Sequence, residues 1–213
     1  MEKVIFFDVA NTLLYKPDLY ATMLNVFNQF GIAVDRDELE KKHKLLSEII
    51  LFPDKTSADF YQHFNKELLL LLGLKPEEAL LNEIFKSCTY LPWQPFDDTK
   101  VIHQIVSRKG ILSNWDKSLK SKLENYFNLS FDWVLGSEDK GVRKPELRFF
   151  ELMITESKVT PEQIVFVGDS LKLDIIPALS LGINAVLIDR LHLYPNANVP
   201  VIHSMESILN FID

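Results

Sequence analysis

The sequence predicts an α/β fold in which a doubly wound parallel sheet carries an inserted block of four helices. From about residue 97 onward, near-continuous apolar strands alternate with helical segments, a pattern typical of a parallel sheet covered on both faces. Residues 14 to 95 show helical periodicity throughout, and they follow a single apolar strand. Since that strand needs sheet partners, we expect the helices to be an insertion between it and the rest of the sheet.

The first strand ends in a carboxylate. In the stretch "VIFFDVANTLLY", residues 4 to 15, four apolar residues run directly into Asp8. Asn11 and Thr12 follow, and two leucines then restart an apolar pattern. A carboxylate at the end of a buried strand suggests a nucleophile, although a turn residue is the simpler interpretation of Asp8 taken alone.

Four segments of helical spacing make up the inserted block. Their starts and stops carry the usual signals: Gly31 ends the first, acids begin the second, Ser57 caps the third and Pro76 lies in the first turn of the fourth. The predicted helices are "LYATMLNVFNQFG", "DRDELEKKHKLLSEIILF", "SADFYQHFNKELLLLL" and "KPEEALLNEIFKSC". We therefore predict an α/β domain formed by residues 1–14 and 96–213 and a helical domain formed by residues 15–95.

The second half of the chain alternates between the two element types. Strands are predicted at "GILSNW", "FDWVLGS", "QIVFVGDS" and "NAVLID", with helices at about 97–109, at about 116–127, after Pro145, at "LDIIPALSLG" and at "MESILNFID". Ligands of such sheets bind at the carboxyl ends of the strands. Polar residues cluster at those ends: Asp8, Ser113 with Asn114, and Asp169 with Ser170. The sequence therefore predicts a site at this edge.

Composition narrows the classes of partner. The 213 residues are 47% hydrophobic and carry a net charge of −7, which disfavours non-specific nucleic-acid binding. A phosphate-bearing partner would need a local positive site or a cation. The single cysteine, Cys88, excludes an internal disulfide and suits a reducing compartment. No signal peptide is visible, and the longest apolar run, residues 68–74, is far shorter than the ~20 residues of a membrane span, so we expect a cytoplasmic protein without membrane contact.

Four short motifs, in order along the chain, resemble those of the haloacid dehalogenase superfamily of hydrolases. The motifs are Asp8 with Thr12 and Leu13, Ser113 in "ILSNWD", Lys144 in "SEDKGVRKPELRFF", and Asp169 with Asp174 in "VGDSLKLD". Each is weak alone, but together they fall on the predicted elements in the family's order. The resemblance implies a Rossmann-like core and assigns the helical insertion to a type-1 cap.

The resemblance also implies a reaction and a metal. A carboxylate that attacks phosphorus forms an aspartyl-phosphate, which divides one difficult displacement into two easier ones. Neighbouring carboxylates either raise each other's pKa or share a cation, and Mg²⁺ accepts carboxylates together with a substrate phosphate oxygen. By the resemblance, Asp8, Asp169 and the main-chain carbonyl of Ala10 bind Mg²⁺, and Asp174 supports this shell. The simpler interpretation of Asp174 is an acid in the first turn of a helix.

The remaining predicted residues would hold the substrate, a small phosphorylated metabolite. Lys144 would offset the charge of Asp8 and bind a phosphoryl oxygen, and Ser113 with Asn114 would contact a second one. Thr12 would order the loop after the nucleophile. Taken singly, these side chains also fit a solvated lysine, a helix cap and a turn hydroxyl.

Ala10 departs from the family's phosphatases, which usually carry a second Asp two positions after the nucleophile as the general acid and base. General acid–base catalysis contributes about 10²–10⁴-fold to a rate. Four alternatives stay open at this point. The first is a phosphohydrolase that takes its acid from the helical insertion or acts on a substrate with a good leaving group. The others are a phosphonatase-like enzyme that uses a lysine of the insertion, a haloacid dehalogenase, and a phosphate-binding protein without turnover. His43 and His63 are candidate acids and Lys41, Lys42, Lys44 and Lys55 candidate amines, although packing or solvent exposure explains each.

Overall fold

The computed structural model describes residues 3–212, and two sheets account for its strands. In chain order the strands are β1 (Val4–Phe7), β2 (Leu14–Tyr15), β3 (Gln94–Pro95), β4 (Lys109–Ser113), β5 (Trp133–Gly136), β6 (Ile164–Gly168), β7 (Asn184–Ile188) and β8 (Val201–Ile202).

Helices cover one long internal segment and then alternate with the later strands. The α-helices are α1 (Leu19–Gln29), α2 (Arg36–Ile49), α3 (Ala58–Leu71), α4 (Glu78–Cys88), α5 (Leu119–Tyr126), α6 (Ser137–Lys140), α7 (Leu147–Ser157) and α8 (Ile176–Ser180). Tighter 3₁₀ turns occupy Asp97–Gln104, Pro161–Gln163 and Met205–Phe211, and Leu171–Ile175 forms a π-helical turn that leads into α8. Among the described residues, no helix has the length and apolarity required to cross a membrane.

The main sheet is parallel throughout and has the strand order β5-β4-β1-β6-β7-β8. The chain builds outward from β1 on one side through β4 and β5, then crosses over to β6 on the other side. This is the doubly wound, Rossmann-like order, and its switch point lies between β1 and β6. The predicted fold class is confirmed.

The sheet is rigidly packed because its central strands are apolar on both faces. All four residues of β1 and all five of β6 are buried. Phe6, Phe149, Phe150 and Phe166 are fully buried within one core that α7 and α8 help to close. A parallel sheet with both faces covered requires such continuous apolar runs.

The chain divides into two compact units. One is an α/β unit that runs up to Tyr15 and resumes at Pro95, and the other is a helical unit at residues 16–94. The helical unit has its own core, which includes Phe27, Leu39, Phe64 and Leu68. As expected, Ser57 caps α3 by accepting a hydrogen bond from the amide of Phe60 (3.1 Å). The interpretation of the two units as catalytic core and cap stays a prediction.

Several predicted elements differ from the structure. The segment from residue 14 to 95 is not wholly helical, because β2 and β3 pair at its two ends. The helix predicted at 97–109 is a 3₁₀ turn that stops at Gln104, and the terminal helix is likewise 3₁₀, with Asp213 outside the described residues. Pro76 precedes α4, which begins at Glu78, instead of lying in its first turn. Strand β8 was not predicted.

Candidate active site

Three strands bring their polar ends together at the carboxyl edge of the sheet. Phe7 of β1 lies opposite Ile111 of β4 and Val167 of β6, so the residues that follow these positions also lie side by side. The amide of Asp8 donates to the carbonyl of Val167 (2.9 Å), which continues the ladder by one residue. This register places Asp8 at the switch point, where doubly wound sheets bind their ligands.

Three side chains donate hydrogen bonds to the Asp8 carboxylate. The ammonium of Lys144 lies 2.5 Å from Oδ1, and the hydroxyl of Ser113, the last residue of β4, lies 2.9 Å from the same oxygen. Thr12 donates to Oδ2 at 3.5 Å, the long limit for such a bond. Because both short contacts fall on Oδ1, they hold the carboxylate in one orientation.

Lys144 is buried, with 2% of its side chain exposed, and bridges two carboxylates. Its ammonium also donates to Oδ1 of Asp174 (2.6 Å). Asn114 fixes the lysine backbone from both sides: its carbonyl oxygen accepts from the Lys144 amide (2.8 Å), and its amide nitrogen donates to the Lys144 carbonyl (2.9 Å). The structure therefore places Asn114 as the support of Lys144, a contact that the sequence did not indicate.

Asp174 reaches the site from the π-helical turn after β6. Its Oδ2 accepts from the amide of Ser170 (3.1 Å), while the Ser170 hydroxyl accepts from Leu173 and caps the turn. Gly168 makes this approach possible, because a Cβ at that position would lie 2.4 Å from the Asp174 carboxyl group. The glycine of the "GD" motif is therefore a steric requirement, which sequence reasoning did not identify.

The electrostatics of this cluster leave an excess of negative charge. Asp8, Asp169 and Asp174 each offer a carboxylate oxygen, and these oxygens lie within 4.8 Å of one another. Burial raises the pKa of Asp174 to about 7; the ammonium of Lys144 opposes this rise and the charges of Asp8 and Asp169 add to it. Burial works against the charge of Lys144, but Asp174 and Asp8 together raise the pKa of its amine above the ordinary value. Three carboxylates face one ammonium.

The excess negative charge of this cluster fits a divalent cation. With all three carboxylates ionised, the four groups carry a formal charge of −2, and closely spaced oxygens are the ligands that Mg²⁺ takes from proteins. Asp8, Asp169 and Asp174 are the residues that could hold such an ion. They are the acids that the sequence predicted for this purpose.

Ala10 lies in a tight turn between Asp8 and β2. It forms a β-bridge with Leu14, and the amide of Asn11 donates to the Leu14 carbonyl (2.7 Å). Asn11 has a φ of 57°, a left-handed conformation that Asn tolerates better than most residues. The turn thus fixes the backbone at Ala10, whose methyl group has no proton to give.

The candidate acids and amines of the helical unit are either held in contacts within that unit or exposed. His43 is packed edge-on between the rings of Tyr20 and Phe64, and burial, helped by the charges of Lys44 and Lys16, lowers its pKa to about 4. His63 is exposed on α3. Lys42 and Lys44 form ion pairs with Glu38 (2.6 Å) and Glu48 (2.5 Å), while Lys41 and Lys55 are exposed.

Comparisons with known proteins identify the family of the chain. Residues 2–182 match the family described as haloacid dehalogenase-like hydrolase. A glyceraldehyde 3-phosphate phosphatase of Methanothermobacter thermautotrophicus is 29% identical over 206 residues, which cover 89% of this chain and 86% of that protein. The glyceraldehyde 3-phosphate phosphatase of Pyrococcus furiosus is 30% identical over 200 residues, 86% of this chain and 79% of that protein.

A solved structure extends the similarity to the whole chain. The HAD phosphatase from Thermococcus onnurineus superposes with a TM-score of 0.53 at 25% identity, covering 100% of this chain and 97% of that one. The family match spans both the strand that precedes Asp8 and the segment that carries Asp169 and Asp174. The chain therefore belongs to the haloacid dehalogenase-like hydrolase family.

Proposed function

We propose that the protein is a Mg²⁺-dependent phosphohydrolase of small phosphorylated metabolites that works through a phosphoryl group on Asp8. The observation that carries this proposal is the buried contact between Lys144 and Asp8 (2.5 Å) beside two further carboxylates. Relatives named for the dephosphorylation of glyceraldehyde 3-phosphate support a small phosphate ester as the substrate.

The contacts of Asp8 suit a nucleophile. Its carboxylate oxygen attacks phosphorus, the bond to the leaving oxygen breaks, and the leaving group departs with the bonding electron pair. Water then attacks phosphorus and the bond between phosphorus and the Asp8 oxygen breaks, which yields inorganic phosphate and restores the Asp8 carboxylate. The proton lost by this water goes to solvent, and an alkoxide leaving group takes its proton from solvent. Lys144 and Ser113 already hold the carboxylate in one orientation, so little reorganisation is needed before attack.

The cation would neutralise the excess charge of the site. Asp8, Asp169 and Asp174 would hold it, with the Ala10 carbonyl as a further oxygen ligand, and when bound it would offset the charge of the phosphoryl oxygens. Lys144, which contacts both Asp8 and Asp174, contributes a second positive charge. Without a cation, three carboxylates would repel an anionic substrate, and this also disfavours metal-free dehalogenation of a haloacid.

Ala10 sets the expected substrate preference. Because a methyl group cannot protonate the leaving oxygen, hydrolysis is expected to fall steeply as the pKa of the leaving group rises. Acyl and aryl phosphates should react faster than alkyl phosphates. Replacing Ala10 by Asp is expected to raise the rate with an alkyl phosphate by about 10²-fold, the lower end of general acid–base catalysis. Aryl phosphates with good leaving groups should gain less.

The test is phosphate release measured with and without Mg²⁺, with EDTA as the control. We expect turnover of acetyl phosphate and p-nitrophenyl phosphate that EDTA abolishes and that Asp8→Asn eliminates. Metal-independent chloride release from 2-chloropropionate, without phosphate release, would contradict the proposal. An equal rate for Ala10→Asp and wild type on an alkyl phosphate would show that another group supplies the proton.

Ala10 also favours one second candidate, a phosphate-binding protein without turnover. This candidate predicts no phosphate release from any ester, although phosphate and Mg²⁺ still raise the melting temperature. Phosphate release in the first assay excludes it. The cytoplasmic location expected from the sequence stays a prediction.

A further inference from the structure

Arg190 makes a second charged cluster in the α/β unit, and this cluster reaches the loop that carries Asp8. Arg190 lies two residues after β7, and its guanidinium forms a two-point contact with Asp98, with nitrogen–oxygen distances of 2.6 and 3.1 Å. The nitrogen Nη2 also donates to the main-chain carbonyl of Thr12 (3.0 Å). The side chain is 17% exposed, so these contacts are made largely out of water.

The Arg190 guanidinium also lies over an aromatic ring, that of Phe96. The central carbon of the Arg190 group lies 3.8 Å from the centroid of the Phe96 ring, and Phe96 stacks on Tyr15 at 4.2 Å. The amide of Phe96 donates to the carbonyl of Leu13 (3.0 Å). Arg190 therefore restrains the loop after β1 twice, directly at Thr12 and through Phe96 at Leu13.

Asp98 is itself anchored from the other side. It accepts hydrogen bonds from the hydroxyl of Ser204 (3.1 Å) and from the amide of Met205 (2.8 Å). Burial opposes its charge, but the bond from Arg190 and that from Met205 hold the pKa of Asp98 below its ordinary range. The carboxylate stays ionised and fixes the arginine at an angle that a lysine, with its single ammonium, cannot reproduce.

We propose that Arg190 is a positioning residue of the hydrolase: by fixing the backbone of the loop at Thr12, it places the Thr12 hydroxyl and the Ala10 carbonyl beside Asp8. This inference rests on the proposed function. The loop is short: Thr12 donates to Asp8 from its side chain while its carbonyl is held by Arg190. Since Lys144 and Ser113 both contact Oδ1, Thr12 supplies the side-chain contact to Oδ2 of Asp8. A shift of the loop backbone would therefore displace the Thr12 hydroxyl from Oδ2 and move the Ala10 carbonyl relative to Asp8.

The experiment compares Arg190→Lys and Arg190→Met with a matched arginine. Arg108 also lies over an aromatic ring, 5.0 Å from the centroid of Trp133, but it precedes β4 and so lies at the opposite end of the sheet. Because small misplacements of reacting groups cost about 10²-fold, we expect kcat for acetyl phosphate to fall ~10–100-fold in both Arg190 variants. KM should change less than threefold, and Arg108→Lys should stay within twofold of wild type.

The Mg²⁺ dependence separates positioning from simple destabilisation. If the loop shifts, the Mg²⁺ concentration for half-maximal activity should rise in the Arg190 variants, since the Ala10 carbonyl moves relative to Asp8. The melting temperature should stay well above the assay temperature. The proposal is overturned if kcat and the Mg²⁺ dependence match those of wild type, or if the loss of activity equals the loss of folded protein.

A failure of the proposed function gives a different result. If wild type releases no phosphate, the hydrolase proposal fails. The readout is then the rise in melting temperature caused by Mg²⁺ with beryllium fluoride, which mimics a phosphorylated carboxylate. Positioning by Arg190 predicts a smaller rise in both Arg190 variants than in wild type and Arg108→Lys. Equal rises in all four proteins would overturn the positioning role.

Discussion

The two units of the molecule treat buried charge in opposite ways. Within residues 3–212, the α/β unit buries four aspartates and one lysine: Asp8, Asp169, Asp174, Asp189 and Lys144. In the helical unit, the one buried polar residue within the part of the chain that the structure describes is the neutral Asn65. Its basic His43, packed between aromatic rings, has a pKa lowered to about 4 and so gives up its charge near neutral pH.

This difference indicates where the sequence is constrained by chemistry. Removing an ion from water costs several kcal/mol, and pairing it often does no better than an apolar core of the same shape. The helical unit avoids this cost, since its buried polar residue, Asn65, is neutral and its partly buried His43 loses its charge at a pKa of about 4. In the α/β unit Asp189 accepts hydrogen bonds from the amides of Leu193 and Tyr194, but the other four charged side chains lie together at the carboxyl edge of the sheet, so a requirement other than stability favours them there. The proposed binding of an oxyanion and a divalent cation would supply that requirement.

The largest effect is expected from removing the single ammonium of the buried cluster. Lys144→Met leaves Asp8 and Asp174 without their shared partner, and loss of one member of a buried pair costs about 3–5 kcal/mol. Urea unfolding without metal measures this change. Since a cation can replace part of the lost charge, added Mg²⁺ should recover some of the stability.

The control for this variant is a lysine in a more exposed pair. Lys140→Met breaks the ion pair with Glu156. The side chains of Lys140 and Glu156 are 30% and 36% exposed, and such pairs contribute at most ~1 kcal/mol to stability. Equal losses for the two lysines would remove the distinction between the buried cluster and an ordinary surface pair.

Because His43 of the helical unit is neutral when folded, the free energy of unfolding should depend on pH. The pKa of His43 falls from 6.5 to about 4 on folding, so at acid pH the unfolded state binds a proton that the folded state does not. Stability is therefore complete above pH 6.5 and declines as the pH falls through the window to 4, by about 3 kcal/mol. His43→Phe, which keeps an aromatic ring beside Phe64, should remove this part of the decline.

His63→Gln is the matched control, because His63 is exposed on the neighbouring helix α3. Its unfolding free energy should follow that of wild type at every pH between 4 and 7. A decline in His43→Phe as steep as that of wild type would show that other groups cause the acid sensitivity.

A smaller effect is expected from filling the space at Gly168. The added Cβ of Gly168→Ala would lie 2.4 Å from the Asp174 carboxyl group, and overpacking of this kind costs about 1–3 kcal/mol. Displacement of Asp174 should also weaken Mg²⁺ binding, which calorimetry measures directly. Gly136→Ala, whose Cβ would meet the side chain of Leu119 at 3.3 Å and the carbonyl of Trp115 at an ordinary 3.6 Å, should leave Mg²⁺ binding unchanged.

The sequence predicted the sheet and its polar edge because both are local signals. Apolar runs such as Val4–Phe7 and Ile164–Gly168 are followed directly by Asp8 and Asp169. A few consecutive residues therefore indicate the strand, the position where it ends and the carboxylate at that end. The parallel arrangement then follows from the alternation with helices. The short strands β2, β3 and β8 could not be predicted, since two residues carry no periodicity.

The supports of the site could not be predicted for a different reason. Arg190 and Asp98 are separated by 92 positions, and Asn114 and Lys144 by 30, so no window of sequence contains both partners. The role of Gly168 depends on how closely the π-helical turn returns to the strand. Such contacts are properties of the folded chain, and they decide how firmly the predicted residues are held.

The most direct test of the account is to locate the covalent phosphoryl group. Wild-type protein incubated with acetyl phosphate and Mg²⁺, quenched in acid and digested, should carry the phosphoryl group on the peptide that contains Asp8, and neither Asp8→Asn nor an EDTA-treated sample should carry it. Steady phosphate release from a protein that is never phosphorylated, or that is phosphorylated at another residue, would contradict the central claim that Asp8 is the nucleophile.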